Sequence, residues 1–272
     1  MAQMKATVFG ANGFVARALV SYLRGKGYDV REVVRGDATW RGADLGHTFY
    51  CIGLTADFRS RPFETIEAHC GFLKEVLSGA RFTSFVYLSS TRVYARASST
   101  DEAAAIPVIP GDPDDLYNIS KLMGESACLG SGLSNARVAR LSNVFGQDLE
   151  SQNFLTSVLS DAAQRKAVHL RTSLASEKDY IWIGDVVLAL EAIARNGNDP
   201  ITNVAYGRNT THGEIMEAVA ATTGATISVV PDAPTVRFPE IATQRLDRLI
   251  GSDRVALSGR VGELAAAFAR RD

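Results

Sequence analysis

Apolar positions along the chain alternate between strand-like runs and helical spacing. Residues 5–9 form a short β-rich run that stops at Gly10. From Gly13 onward Phe14, Val15, Ala18, Leu19, Tyr22 and Leu23 recur at helical spacing. Gly25 and Gly27 close that helix, and residues 28–34 read as the next strand. Residues 48–53 are near-continuously apolar, as in a parallel strand buried on both faces. The pattern then predicts a helical stretch over 61–79, a strand over 85–88 and a loop over 101–115 marked by Pro107, Pro110 and Pro113. A helix over about 116–129 and a strand over 136–141 follow. Beyond that point the rhythm changes, with helices over 153–163, 187–195 and 212–223, the last with Thr211 placed to cap it. Short strands fall around 168–171 and 201–204, and a strand-like run reaches Val230. Past Pro231, Pro234 and Pro239 the tail turns helical. Alternating strands and helices predict an α/β fold. Between Arg35 and Thr48 there is little room for a further helix and strand, and Asp44 and Leu45 are expected near the adenine edge of any bound nucleotide.

Composition narrows the class without deciding it. A chain of 272 residues fits one large α/β domain, or a cofactor domain with a small lobe added. It is 46% hydrophobic and 22% charged, with a net charge of −1 and no basic block, so nucleic acid is not an expected partner. No apolar run approaches the roughly 18 residues of a membrane span, and residues 1–5 lead straight into a strand with no signal peptide evident. Cys51, Cys70 and Cys128 are odd in number and lack paired spacing, which fits reduced thiols in a cytoplasmic protein. His47, His69, His169 and His212 form no ligand cluster with them, and no metal is expected.

Three stretches carry the chemistry. The first is Gly10-Ala11-Asn12-Gly13-Phe14-Val15-Ala16, set between a strand and an amphipathic helix as in a dinucleotide-binding fold. Gly10 allows the tight turn and Gly13 lets the backbone approach a pyrophosphate at the helix N-terminus, while Ala16 stands where a third glycine is usual. Cofactor contacts are therefore expected from Gly10, Asn12, Gly13, Phe14 and Val15. The second strand ends in Arg35, where an acidic residue would hold the ribose 2′-hydroxyl of NAD and an arginine accommodates the 2′-phosphate of NADP. NADP is the expected cofactor and NAD the alternative, with Arg31 a lesser helper; a solvated arginine at a strand end is the competing reading. The second stretch is Leu88-Ser89-Ser90-Thr91-Arg92-Val93-Tyr94. The third is Tyr117-Asn118-Ile119-Ser120-Lys121, whose tyrosine and lysine fall four apart on one helix face. There an ammonium can stabilise phenolate and draw the tyrosine toward proton exchange near neutral pH. Alone the spacing also describes a surface turn with a solvated lysine. Together the three stretches read as a nicotinamide-dependent redox site.

The chain resembles an extended short-chain dehydrogenase/reductase of the NAD-dependent epimerase/dehydratase family, which acts on nucleotide sugars. The likeness runs from the glycine turn to about residues 247–251. It implies a Rossmann-type doubly wound parallel sheet with a small C-terminal substrate lobe. Residues 1–150, with 178–205 returning, would form the dinucleotide-binding domain, and 151–177 and 206–272 the lobe. It makes Tyr117 the general acid/base and gives Lys121 the nicotinamide ribose hydroxyls as a second task. Ser90, four residues before Tyr94, becomes the catalytic hydroxyl, with Ser89 and Thr91 as the neighbours if the register slips by one. Substrate contacts are implied for Ser90, Thr91, Asn143 and Lys178. Asn143 would lie near the sugar-nucleotide phosphates. Lys178 replaces an arginine that contacts the diphosphate, keeping the charge but not the fork-shaped hydrogen bonding. Trp182 replaces a common histidine, and His69, where the family often has an asparagine, reads as packing. A sugar 4,6-dehydratase needs carboxylates where this chain has Thr91 and Arg92, so water elimination is disfavoured. The implied activity is NAD(P)-dependent keto reduction or epimerisation of a nucleotide-linked sugar. The alternatives are an NADPH-dependent reductase of a non-sugar carbonyl substrate and a non-catalytic cofactor-binding protein. A homodimer stays open.

Overall fold

The computed structural model describes residues 3–55, 57–147 and 153–269. The domain limits expected at residues 1, 150, 151 and 272 lie outside the described residues. β1 (Lys5–Phe9) is followed by α1 (Phe14–Gly25) and β2 (Asp29–Val33), as the apolar pattern predicts. β3 (His47–Tyr50) comes next, without an intervening helix. A helical stretch follows as α2 (Pro62–Ile66), a π turn (Glu67–Gly71) and α3 (Phe72–Gly79). β4 (Ser84–Ser90) passes into a 3₁₀ turn (Thr91–Arg96), and after a long loop come α4 (Asp115–Gly130) and β5 (Ala136–Leu141).

β1 to β5 with β9 (Ile201–Val204) make a sheet in the order β2-β1-β3-β4-β5-β9, parallel throughout, with six strands among the described residues. The fold is α/β and Rossmann-type. The usual order carries a further strand outside the second, and here β2 is the edge. The physical reason lies in residues 34–46, which dock under α3 instead of adding a strand. Trp40 is fully buried against Phe9 and Phe72, its indole N–H donates to the Asp37 carbonyl, and Gly42 N–H donates to the Gly79 carbonyl at 2.7 Å. The same path corrects one expectation. Asp44 pairs with Arg81 and Leu45 N–H donates to the Arg81 carbonyl, just before β3 begins. That is the N-terminal edge of a parallel sheet, whereas ligands bind beyond the carboxyl ends of its strands. Asp44 and Leu45 therefore do not reach an adenine pocket.

The remaining elements are β6 (Asn143–Phe145), α5 (Phe154–Gln164), β7 (Ala167–Leu170), β8 (Glu177–Trp182) and α6 (Ile183–Asn196). After β9 come β10 (Asn209–Thr211), α7 (His212–Thr223), β11 (Thr226–Val229), α8 (Gln244–Ile250) and α9 (Val261–Ala269). Thr211 caps α7 with a reciprocal Glu214 contact. Apolar side chains bury on both faces of the large sheet, with α1 and α6 on one face and α3 on the other. A separate small core gathers Phe145, Leu155, Leu159, Tyr180, Met216, Leu264 and Phe268 from the later elements. β8 joins β6 and β10 in a three-stranded sheet and leads directly into α6. No described helix is long and apolar enough to cross a membrane.

Candidate active site

A cleft of about 540 Å³ opens along the carboxyl ends of β1, β3, β4 and β5 and is closed on its far side by β6, β8 and α5. Its lining includes Gly13, Phe14 and Val15 from the start of α1, Ser90, Thr91 and Arg92 from the end of β4, Tyr117 and Lys121 from α4, and Asn143 and Lys178. Of the catalytic, cofactor and substrate contacts expected from sequence, Gly10, Asn12 and Arg35 are outside that lining. Gly10 sits beneath it, with φ +76 and its amide on the Val33 carbonyl at 2.9 Å, and an added Cβ would meet Ile52 at 3.0 Å. Only glycine takes that backbone at no cost. Asn12 and Arg35 are exposed. Arg31 is tied to Thr39.

Tyr117 is buried in the cleft beside the Ser90 and Thr55 hydroxyls. Burial pushes its phenol upward, and the Ser90 and Thr55 hydroxyls and the Arg92 charge pull the other way. Ser89 does not compete for this place, because its hydroxyl donates to Glu125 Oε1 at 2.5 Å on the inner side of the strand. Lys121 lines the same cleft one helical turn on. Its Nζ donates to the Leu88 carbonyl at 2.8 Å and stands over the Tyr87 ring, and burial lowers the ammonium to about 8 with the Glu125 charge opposing. Arg92 also bears on Tyr117, its guanidinium 5.6 Å from the ring centroid.

Two buried devices hold this helix. Glu125, one turn beyond Lys121, takes a bidentate contact from Arg140 on β5, with Nε on Oε1 at 2.9 Å and Nη2 on Oε2 at 2.6 Å. Arg140 Nη1 also donates to the Tyr94 hydroxyl at 2.6 Å. On the other side stands His69, fully buried in the π turn and edge-on to Tyr117 at 5.4 Å. Its Nε2 accepts from Leu54 N–H at 3.3 Å, so Nδ1 carries the proton and donates to Ser120 Oγ at 2.8 Å. Ser120 in turn donates to the Tyr117 carbonyl at 2.9 Å. Burial, with the Lys121 charge, lowers the His69 pKa to about 2 and keeps it neutral. Gly124 makes this approach feasible, since a Cβ there would fall 2.3 Å from the Tyr87 hydroxyl and 2.8 Å from the His69 carbonyl. The packing read for His69 is thus a hydrogen-bonded clamp between the β3–α2 loop and the Tyr117 turn. Its signal in the sequence was a lone histidine; Thr55 and Phe58, which also flank Tyr117, left none.

On the opposite wall β6 pairs with β8, which sets Asn143 level with Tyr180. Asn143 Nδ2 donates to the Asp179 carbonyl at 2.8 Å, and Lys178 is half-buried with its Nζ over the Phe238 ring. Two residues far apart in sequence therefore share one wall. Trp182 instead packs on Phe145 and under Arg260, away from the cleft.

The profile of the NAD dependent epimerase/dehydratase family matches residues 6–205. The chain belongs to that family of enzymes. Several solved structures share the epimerase/dehydratase fold with it at a distance. MoeE5 in complex with UDP-glucose and NAD matches at 21% identity and TM-score 0.80, over 98% of this chain and 99% of that one. RMD from Pseudomonas aeruginosa, complexed with NADPH, matches at 19% and 0.80, over 98% and 100%. The UDP-glucuronic acid 4-epimerase from Bacillus cereus, in complex with UDP-glucuronic acid and NAD, matches at 15% and 0.80, over 98% and 99%. At these identities the likeness is one of fold. No curated protein matches the chain. The dinucleotide that the family implies fits the residues present. α1 has no side-chain cap and no acidic residue in its first turn, so its first N–H groups and the positive end of its dipole are open to the cleft. Beyond the Gly10 carbonyl, nothing stands within 4 Å of where a Gly13 Cβ would be, which leaves room for a phosphate against the backbone.

Proposed function

We propose that this epimerase/dehydratase-family enzyme is an NAD(P)-dependent oxidoreductase or epimerase acting at a hydroxyl or keto carbon of a nucleotide-linked sugar. The observation that carries the reading is that Ser90, Tyr117, the Lys121 ammonium and the uncapped start of α1 all line one cleft. A nicotinamide, when bound, supplies or accepts the hydride. The chain's own residues manage the oxygen of the reacting carbon. The Tyr117 hydroxyl gives it a proton or takes one, and Ser90 hydrogen-bonds the same oxygen to hold it beside the phenol. Lys121 spends one N–H on the Leu88 carbonyl and keeps two for ribose hydroxyls.

The choice of cofactor and substrate rests on the groups left free. Arg35 is exposed at the end of β2 with no ion pair among the described residues, which supports NADP. The acids nearby are engaged, Glu32 by Arg24 at 2.6 Å and Asp37 by Thr39 N–H at 2.7 Å, so no free carboxylate favours the 2′-hydroxyl of NAD. RMD, complexed with NADPH, has the same fold. Asn143 and Lys178 on their shared wall support a diphosphate contact, and MoeE5 holds UDP-glucose on this fold. Among the described residues Asp179 is the one acid lining the cleft, and its oxygens accept from Tyr206 and Gly207 N–H at 2.9 and 2.7 Å. Without a free carboxylate beside Ser90, reduction or epimerisation is favoured over loss of water.

The test is a panel of nucleotide sugars with NADP or NADPH, read by cofactor absorbance and product stereochemistry, for wild type and Tyr117→Phe. The variant should bind cofactor normally and lose roughly 10²–10⁴-fold in turnover. A variant that keeps most of its turnover overturns the role of Tyr117. If cofactor-loaded wild type binds neither UDP nor dTDP by calorimetry, the substrate is a non-sugar carbonyl compound.

A further inference from the structure

Arg92 is the feature of the cleft that the reading above does not use. It lies in the 3₁₀ turn after β4, and its backbone N–H donates to Ser90 Oγ at 3.2 Å, which fixes it relative to the reacting hydroxyls. Its guanidinium stands 5.0 Å from the Phe58 centroid and 5.6 Å from that of Tyr117. Among the described residues this guanidinium has no hydrogen-bond or ion-pair partner, although the side chain is only partly exposed. The neighbouring acids are already engaged. Asp114 is held by Arg59 at 2.5 Å, and Asp115 by Arg96, Asn118 and Ile109 N–H at 3.2, 2.8 and 2.7 Å.

A planar cation with its donors unmet, partly desolvated between two rings, is an incomplete site. The group that completes it is anionic and planar, since a carboxylate accepts both arms of the fork. The location specifies further. The guanidinium is over Tyr117, so the anion it meets sits next to the carbon whose oxygen Tyr117 serves. The diphosphate is assigned to the other wall, at Asn143 and Lys178. Resting on the nucleotide-sugar reading, we infer that the sugar is acidic: its carboxylate, borne beside the reacting carbon, is taken bidentately by Arg92. Charge balance agrees. Lys121, Lys178 and Arg92 all line the cleft, and Asp179, the acid lining it, is bound away in backbone contacts. Burial, then the nearby Arg59 charge, pushes Arg92 below its usual range, and a carboxylate opposite would relieve both.

The experiment compares UDP-glucuronic acid with UDP-glucose, which differ in the carboxylate, by calorimetry on cofactor-loaded wild type, Arg92→Met and Arg92→Lys. Wild type should prefer the uronate by about tenfold or more, the value of one charge-assisted bidentate contact. Arg92→Met should abolish the preference by weakening the uronate alone, and Arg92→Lys should restore part of it. Equal binding of the two sugars by wild type overturns the inference, as does an equal loss for both in Arg92→Met, which would place the guanidinium on the diphosphate. Failure of wild type to bind either sugar overturns the nucleotide-sugar reading itself, a result distinct from equal binding.

Discussion

His69 makes the site sensitive to acid in a way that can be measured. It is fully buried, its Nε2 must stay unprotonated to accept from Leu54 N–H, and its pKa is lowered to about 2, first by burial and then by the Lys121 charge. In the unfolded chain the same ring titrates near 6.5. Below that value the unfolded state binds a proton that the native state refuses, so stability falls as pH drops from 6.5 toward 2. Between pH 7 and pH 5 this one ring should lower the unfolding free energy by roughly 2 kcal/mol, at about 1.4 kcal/mol per pH unit once titration is under way. His47 and His212, also lowered by burial, act with the same sign, the latter at about 4. The slope of wild type is therefore a sum, and a non-titrating variant isolates the share of His69. Urea denaturation of wild type and His69→Asn at pH 7 and pH 5 gives that difference directly. Any stability the variant loses through its weaker clamp appears at both pH values and cancels. Equal losses in the two proteins between pH 7 and pH 5 would refute the neutral, proton-excluding clamp.

Three further outcomes are expected. Arg35→Ala should weaken NADP(H) by about tenfold or more and scarcely affect NAD(H), the value of roughly 1.5–3 kcal/mol for a charge-assisted phosphate contact; tighter NAD than NADP in wild type would contradict it. Arg140→Leu strands the buried Glu125 carboxylate and should cost roughly 3–5 kcal/mol, while Glu125→Leu/Arg140→Leu together should recover much of it, because no charge is then left buried alone. Chemical denaturation decides this, and a single-variant loss below about 1 kcal/mol would count against an effective buried pair. Lys178→Ala should raise the apparent KM for a nucleotide sugar, with added salt giving a milder version in wild type, and leave an uncharged small ketone unaffected; an equal effect on both would mean that Lys178 serves the cleft wall rather than a diphosphate.

The opening βαβ unit was legible because its signals are local. The Gly10 turn and the apolar stripe of α1 depend on near neighbours in the chain, and the structure has them where the periodicity puts them; of the run expected as a strand over 48–53, β3 takes only the first half, and 51–53 leave the sheet as loop. The short 34–46 connection was legible too, but not its path, because the burial of Trp40 against α3 is a contact between distant segments. The helical spacing of Tyr117 and Lys121 put both on one face of α4 and could say nothing of what packs there. Lys121 donates to the Leu88 carbonyl, Arg92 stands over the phenol, and His69 arrives from a π turn some fifty residues upstream. Periodicity reports which way a side chain faces from its own element. Which charge it meets there, and whether water is present to screen it, is set by the elements that close over that face. Such contacts leave no pattern along the chain, and tertiary packing alone decided them.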